Sequence, residues 1–235
     1  MKNCVVYVVD NNDLQMKFLR NSLNTLRKNY DGDIHILVDE NFEYRDSFRD
    51  CSVTTVTEEM RLKYLPNVQE MKRPEITYAT FYRFMIPILD VFKKYRQVLY
   101  LDNDTEIVRP IDGIFKNEEK EFYGVNEYWL LEEHNRRLGH IKHLDRYCNA
   151  GVLLINLFRM EDFERKLSEM NVLQNRYNFK NLDQDMLNLR FDFGLLDRKY
   201  NCYPMLEDTS KAVILHYVNS LKNILMKKIS YGKQL

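Results

Sequence analysis

Cys4-Val5-Val6-Tyr7-Val8-Val9-Asp10, followed by Asn11-Asn12-Asp13 and a change of rhythm from Leu14, is the stretch that decides the fold. An unbroken apolar run rich in β-branched residues suits a strand covered on both faces, as in a parallel sheet. From Leu14 the apolar residues Leu14, Phe18, Leu19, Leu23 and Leu26 share one helical face, with Arg20, Asn24 and Lys28 largely off it. Asp31-Gly32-Asp33 punctuates a turn, 34–38 reads as a second strand and 53–56 as a third. Strand, helix, strand in that order implies a crossover and a parallel sheet.

Working outward, 63–74 contains Pro66 and Pro74 with little periodicity and reads as a loop. Residues 76–95 are helical in pattern, and Pro87 should kink or restart that helix because its ring removes a donor. Further strands are expected at 98–101, 122–125, 152–157 and 212–217, and helices at 159–177 and 183–191. No internal repeat, low-complexity stretch or interdomain linker interrupts the chain. The expectation is one α/β domain over 1–235, a mixed, mostly parallel Rossmann-like sheet flanked by helices, with 222–235 as a tail.

The 235 residues can bury a core of that kind, and a hydrophobic share of 45% with 13% aromatic supports one. Lys+Arg 35 against Asp+Glu 35 leaves no basic surplus that would point to nucleic acid. Cys4, Cys51, Cys148 and Cys202 lack the close spacing of a zinc knuckle or redox pair and read as reduced thiols. The N-terminal apolar run is too short for a signal peptide, and no other run reaches membrane-span length. A soluble, cytoplasmic protein is expected. The tail mixes Leu225, Met226 and Ile229 with Lys222, Lys227, Lys228 and Lys233, which suits either an ordinary surface helix or a peripheral contact with an anionic membrane.

Val98-Leu-Tyr-Leu-Asp102-Asn103-Asp104 places two carboxylates where an apolar strand ends. Ligands of open parallel sheets bind beyond the carboxyl ends of strands. Two such carboxylates suit a divalent ion that completes its shell with phosphate and water. Taken alone, Asp-Asn-Asp reads equally as a solvated turn. Asp10, with Asn11 and Asn12, ends another strand at the same expected edge. His216 interrupts an apolar strand; the default is a satisfied core histidine, but beside two carboxylates it suits manganese. Lys222 lies within reach of phosphate charge. Asn149-Ala150-Gly151 precedes a strong strand, with Gly151 permitting close backbone approach. Asp183-Gln184-Asp185 opens a helical pattern, where acidic residues are favoured anyway. Residues 130–147, with His134, His140, His143, Glu132 and Glu133, read as an exposed helix or lid rather than a second metal site. Tyr128 and Trp129 suit either core packing or stacking on a sugar.

Five ordered blocks resemble glycosyltransferase family 8. They are Ile76-Thr-Tyr-Ala-Thr-Phe-Tyr-Arg83 followed by Ile86-Pro87, Val98 to Asp104, Cys148-Asn-Ala-Gly-Val-Leu-Leu-Ile-Asn156, Leu182-Asp-Gln-Asp-Met-Leu-Asn188, and His216-Tyr-Val-Asn-Ser-Leu-Lys222. The resemblance implies a GT-A-like fold and a retaining, metal-dependent glycosyltransferase that uses a UDP-sugar. By position it implies that Asp10 and Asn12 hold the uracil with the backbone at Val8, and that Asn11 lies in the nucleotide-sugar site. Asp102, Asp104 and His216 would bind manganese, or magnesium, with the diphosphate, and Asn103 would lie in that site. Ile76 and Arg83 would lie near the nucleotide or its sugar. Asn149, Asp183 and Gln184 would face donor sugar and acceptor, with Gln184 steadying positive charge at the anomeric carbon and Lys222 neutralising the departing UDP. The acceptor would be a glycan, a lipid-linked saccharide or a protein side chain.

Two departures stand out. Asn219 takes the place of the family's glycine in the final block, so its loop must suit a residue other than glycine. The family's Pro-Trp after the lysine is Asn223-Ile224 here. The chain also stops early for the family, so a trimmed form or one domain of a longer polypeptide is expected. Two other readings compete: a sugar-nucleotide-binding domain without turnover, and a sugar nucleotidyltransferase. The latter normally carries a glycine-rich, basic loop where this chain has Asp10-Asn-Asn-Asp13.

Overall fold

The structure, a computed structural model, describes residues 2–67 and 77–231. A seven-stranded sheet forms its centre, with β1 (Lys2–Val8), β2 (Asp33–Asp39), β3 (Ser52–Val56), β4 (Tyr95–Leu101), β6 (Phe122–Gly124), β7 (Val152–Asn156) and β8 (Gly194–Leu195) in the order β3-β2-β1-β4-β7-β6-β8. The pairs β1–β2, β1–β4, β2–β3 and β6–β8 are parallel, whereas β7 runs antiparallel to both β4 and β6. This is the mixed, mostly parallel α/β sheet that the sequence led us to expect. A separate antiparallel ladder joins β5 (Thr105–Ile107) to β9 (Ile214–His216).

The unbroken apolar run of β1 serves two cores at once. Cys4, Val6 and Val8 face one layer with Val98, Tyr100, Leu153 and Ile155, while Val5, Tyr7 and Val9 face the other with Leu99, Leu101, Val152 and Leu154. Each such side chain fully withdrawn from water contributes about 1.5–3 kcal/mol. Apolar faces on both sides do not by themselves fix the register, but Tyr7 does. Its hydroxyl lies 2.8 Å from Ser22 Oγ, which lies 2.9 Å from Thr105 Oγ1, and Thr105 donates to the Asp102 carbonyl at 2.8 Å. A hydroxyl has one hydrogen, so the chain runs in one direction: Tyr7 to Ser22 to Thr105 to Asp102. It ties β1 and helix α1 (Asp13–Leu26) to the turn carrying the paired carboxylates.

The remaining helices are α2 (Glu58–Tyr64), α3 (Leu131–Leu138), α4 (Phe163–Tyr177), α5 (Leu182–Arg190) and α6 (Lys222–Tyr231). Several expected boundaries move. Helix α2 occupies the start of the expected loop, capped by Thr57, whose hydroxyl accepts from the Met60 amide. In place of the helix expected over 76–95, kinked or restarted at Pro87, the described residues form a 3-10 stretch at Tyr78–Met85 and a 3-10 turn at Asp90–Phe92, with β4 starting at Tyr95. Four nearly contiguous side chains, Phe81, Tyr82, Phe84 and Met85, are buried there, and Pro87 then removes a donor. Helix α4 begins later than expected because Asp162 sits at a left-handed φ of 57°. The late strand shortens to β9 and lies outside the main sheet. In the tail helix Leu225 is buried against Phe18, Tyr217 and Leu221, with Met226 and Ile229 packed on the same cluster. Among the described residues no helix is long and apolar enough to cross a membrane.

Candidate active site

Helix α1 starts immediately beyond β1 because Asn12 caps it, its Oδ1 accepting from the Leu14 and Gln15 amides at 3.0 and 3.1 Å. The Asp10–Asn12 turn therefore sits at the carboxyl edge of the sheet, beside the turn that ends β4. Asn103 locks the two turns together by donating to the Val8 carbonyl at 2.8 Å. The β5–β9 ladder pairs Thr105 with His216, and the Tyr217 amide donates to the Asp104 carbonyl at 3.0 Å. Backbone register thus brings Asp102, Asp104 and His216 together, one ligand atom from each lying within 4.8 Å of the others.

Each member of this cluster is oriented from behind. Asn201 Oδ1, which only accepts, lies 2.9 Å from His216 Nδ1, so Nδ1 carries a hydrogen and Nε2 faces the carboxylates. The Asn201 amide cannot turn over, because its Nδ2 donates at 2.9 Å to Asn149 Oδ1, an oxygen that also accepts from the Gly151 amide at 2.9 Å. Asp102 Oδ1 accepts from Arg83 at 3.1 Å and Tyr100 at 2.6 Å, which leaves Oδ2 toward His216 Nε2 at 3.7 Å. Asp104 Oδ1 lies 3.3 Å from the same nitrogen, and Asp104 Oδ2 is 2.9 Å from Lys222 Nζ. Burial would raise the Asp104 carboxyl, but His216 and Lys222 overcome it and hold it at about 2. A Cβ on Gly151 would fall 2.2 Å from His216 Cε1 and 2.7 Å from Asp102 Oδ2, so only glycine lets the strand pass this close. Two carboxylates and an imidazole, braced in this way, fit manganese or a related divalent ion.

Two cavities meet at this wall. One of about 640 Å³ is lined by Glu127, Trp129, His134, Asn149, Gln184 and Tyr203 among others. A second of about 360 Å³ is lined by Val8, Asp10, Asn12, Gln15, Thr77 and Tyr100 among others. Arg83, Asp102, Asp104 and Lys222 border both. The dividing wall thus carries the charge, with one chamber for a group on either side.

Most of the residues singled out in the sequence fall here. Asp10 accepts from the Asn12 amide at 3.2 Å and from Thr77 Oγ1 at 3.1 Å. Asn11 instead binds the Asn41 carbonyl and the Glu43 amide at 2.8 and 3.1 Å and lines neither chamber. Ile76 lies outside the described residues. Arg83 stacks over Tyr100, 4.3 Å from the ring centroid, hydrogen-bonds the Ala150 carbonyl, and lies with Nε 3.0 Å from Asp183 Oδ2. That pair lacks hydrogen-bonding alignment. Burial pushes Asp183 up to about 6 against the pull of Arg83. Gln184 Oε1 accepts from the Ala150 amide at 3.0 Å and from Asn149 at 3.2 Å, and its Nε2 donates to Glu127 at 3.2 Å. Asn219 adopts the left-handed backbone at φ 50°, a region that asparagine tolerates better than most residues, and Lys222 reaches the cluster.

Sequence reasoning missed Glu127, Tyr203, Asn201 and the cavity role of His134. Glu127 follows the expected strand at 122–125, so the rule that found Asp10 and Asp102 could have found it too. Asn201 and Tyr203 lie in an irregular segment and carry no such signal.

A profile of glycosyl transferase family 8 matches residues 12–223. A search of curated proteins found no match. Among solved structures, the galactosyltransferase LgtC, in complex with donor and acceptor sugar analogues, superposes with a TM-score of 0.69 at 20% identity, covering 92% of this chain and 87% of that one. The glycosyltransferase GlyE of Streptococcus pneumoniae gives 0.65 at 19%, covering 97% of this chain and 61% of that one. Mouse xyloside xylosyltransferase 1 gives 0.61 at 18%, covering 92% and 97%. These likenesses concern the fold.

Proposed function

The chain belongs to glycosyl transferase family 8, and we propose that it moves a sugar from a UDP-sugar to an acceptor hydroxyl, with retention of configuration and with the help of manganese or magnesium. The observation that carries this reading is the Asp102–Asp104–His216 cluster on the wall between two chambers, with Lys222 against it. Asp102, Asp104 and His216 would hold the ion. Bound there, it would supply Lewis-acid stabilisation of the diphosphate.

In this reading the 360 Å³ chamber takes the nucleoside, past Asp10 and Asn12, and the 640 Å³ chamber takes the donor sugar and acceptor. The bond from the anomeric carbon to the β-phosphate oxygen breaks as the acceptor oxygen bonds to that carbon from the same face. The acceptor proton leaves with the phosphate. Lys222 supplies positive charge where negative charge develops on the departing diphosphate. Arg83 and Asp183 position the sugar. Gln184, on the lining of the larger chamber, would lie near the anomeric carbon without offering a good nucleophile.

The test is release of UDP from a panel of UDP-sugars with and without manganese, read beside the melting temperature with UDP. A ligand at ~100 times its dissociation constant adds about 2.7 kcal/mol of apparent stability. Metal-dependent stabilisation with turnover supports transfer. Stabilisation without turnover of any UDP-sugar would make the chain a sugar-nucleotide-binding domain, and no stabilisation at all would refute the donor assignment.

A further inference from the structure

His134 sits in the larger chamber with an unsettled hydrogen-bond account. It is 4% exposed and stacks on Tyr147, ring centroids 3.5 Å apart and planes 13° from parallel. Arg137 lies 3.1 Å from its Nδ1, and a guanidinium only donates, so Nδ1 accepts and the hydrogen is on Nε2. Burial, and then the Arg137 charge, push this imidazole below the ordinary histidine value, which favours the neutral ring. Among the described residues, Nε2 has no hydrogen-bond partner. A buried N–H without an acceptor is costly, and such groups are uncommon outside functional sites.

Glu127 Oε2, an acceptor, lies 4.0 Å from this nitrogen. Glu127 Oε1 already takes Tyr203 Oη at 2.6 Å and Asn149 Nδ2 at 3.4 Å, whereas Oε2 takes only Gln184 Nε2 at 3.2 Å. A carboxylate oxygen accepts two hydrogen bonds, so Oε2 has one acceptor position to offer. Both residues line the same cavity, and the buried His134 Nε2, a donor, stands 4.0 Å from Glu127 Oε2, an acceptor. An oxygen roughly 2.8 Å from each, an ordinary hydrogen-bond length, spans that gap. A metal ion does not suit it, because the facing histidine nitrogen carries a hydrogen. An anion is disfavoured by Glu127 and a cation by Arg137. A neutral hydroxyl, which accepts once and donates once, satisfies both groups.

We infer that His134 and Glu127 form a clamp for one sugar hydroxyl, accepted from by Glu127 Oε2 and donated to by His134 Nε2, and that this pair helps select the sugar. The inference rests on the glycosyltransferase reading. The hydroxyl belongs either to the donor sugar or to the acceptor, and the test separates them. The probes are UDP, UDP-glucose and UDP-galactose with manganese, titrated calorimetrically, and methyl glucosides and galactosides as acceptors in a UDP-release assay. His134→Phe keeps the ring on Tyr147 and removes the donor; His134→Gln restores an amide N–H near the Nε2 position.

A donor-sugar clamp predicts that His134→Phe binds UDP as the wild type does but binds at least one UDP-sugar about ten-fold more weakly, the scale of one lost hydrogen bond, with recovery in His134→Gln. An acceptor clamp predicts unchanged UDP-sugar binding and a KM for the methyl glycoside raised about ten-fold in His134→Phe and recovered in His134→Gln. Wild-type binding of UDP and UDP-sugars with no effect of His134→Phe on either reading overturns the clamp and leaves the enzyme assignment standing. Equal defects in His134→Phe and His134→Gln also overturn it, since restoring an N–H would then recover nothing. Absence of UDP binding to the wild type overturns the donor assignment and the clamp with it.

Discussion

The two walls of the larger chamber are built in opposite ways. On the charged wall, Asp104 meets His216 and Lys222, Asp102 meets Arg83 and Tyr100, and His216 meets Asn201. Asp102, Asp104 and His216 hang from the ends of β4, β5 and β9, so the backbone ladder positions them. The far wall comes from α3 and irregular segments. There Trp129 is 42% exposed and Leu206 67%, and His134 keeps an N–H without a partner among the described residues. Preorganised charge suits chemistry that is the same at each turnover. Half-exposed rings and spare hydrogen-bonding groups suit a changeable guest. On the proposed function, the first wall would set the rate and the second the choice of sugar.

The largest expected effect tests the first assignment. Asp104→Ala removes the carboxylate that Lys222 and His216 share and should lower UDP release from the working UDP-sugar about a thousand-fold, the scale of several kcal/mol of lost charge stabilisation. It should also abolish the manganese-dependent rise in melting temperature with UDP. A variant that retains both would break the comparison at once. Lys222→Ala should cost roughly a hundred-fold in kcat, as removal of one charge-stabilising donor does elsewhere. Binding of manganese and UDP should survive it, which a calorimetric titration checks; equal losses in kcat and affinity would mean that Lys222 only holds the nucleotide. Gly151→Ala tests the close approach itself. The new methyl would displace the His216 ring, an overpacking that costs about 1–3 kcal/mol. Loss of the manganese-dependent thermal shift, beyond the fall in melting temperature, would show that ring placement matters.

A pH profile sharpens the comparison within the charged wall. Asp183 is held at about 6 by burial, whereas Asp104 is held at about 2 by its partners against burial. As pH falls through about 6, Asp183 takes a proton and its attraction for the Arg83 guanidinium is lost, while Asp104 remains ionised. An acid limb near pH 6 is expected in kcat, with a slope of roughly ten-fold per unit below it for a single essential ionisation. The residual activity of Asp183→Asn should lack that limb. The same limb in both proteins would assign it to another group.

The same contrast explains what could be read from the sequence. A strand end is visible as an apolar run stopping at a polar residue, and that sign locates Asp10 and Asp102 as well as the sheet around them, whereas His216 stands out as a polar ring inside an apolar run. It also stood at residues 122–125, where Glu127 follows, and was not used. Asn201 and Tyr203 reach the site through an irregular segment, where no period links residue type to place. The 3-10 stretch at Tyr78–Met85 was read as α-helix, because apolar spacing alone does not separate three residues per turn from 3.6 when a proline follows. The pairing of β5 with β9 was invisible for a related reason: three-residue strands, more than a hundred positions apart, are joined by tertiary packing.

The smallest expected effect is the one that probes the far wall without touching charge. Trp129 is braced by Arg198, whose Cζ stands 4.4 Å from the ring centroid and equally 4.4 Å from that of Tyr203. Arg198 is fixed in turn by Glu207 at 2.6 Å. A guanidinium covers one face of the indole, and the ring is still 42% exposed, so it offers surface to whatever enters the chamber it lines. The apolar face of a pyranose fits such a surface. If that stacking is worth about 1 kcal/mol, as between two aromatic rings, Trp129→Ala should raise the acceptor KM about five-fold. The change in kcat should be smaller, because the indole touches none of the groups around the diphosphate. Trp129→Phe should recover most of the loss, since a smaller ring still presents a face. A fall in kcat as large as that in Lys222→Ala would join the two walls into one catalytic unit. No change in acceptor KM would leave Trp129 as a brace for Arg198 and move the acceptor toward the Glu127–His134 side of the chamber.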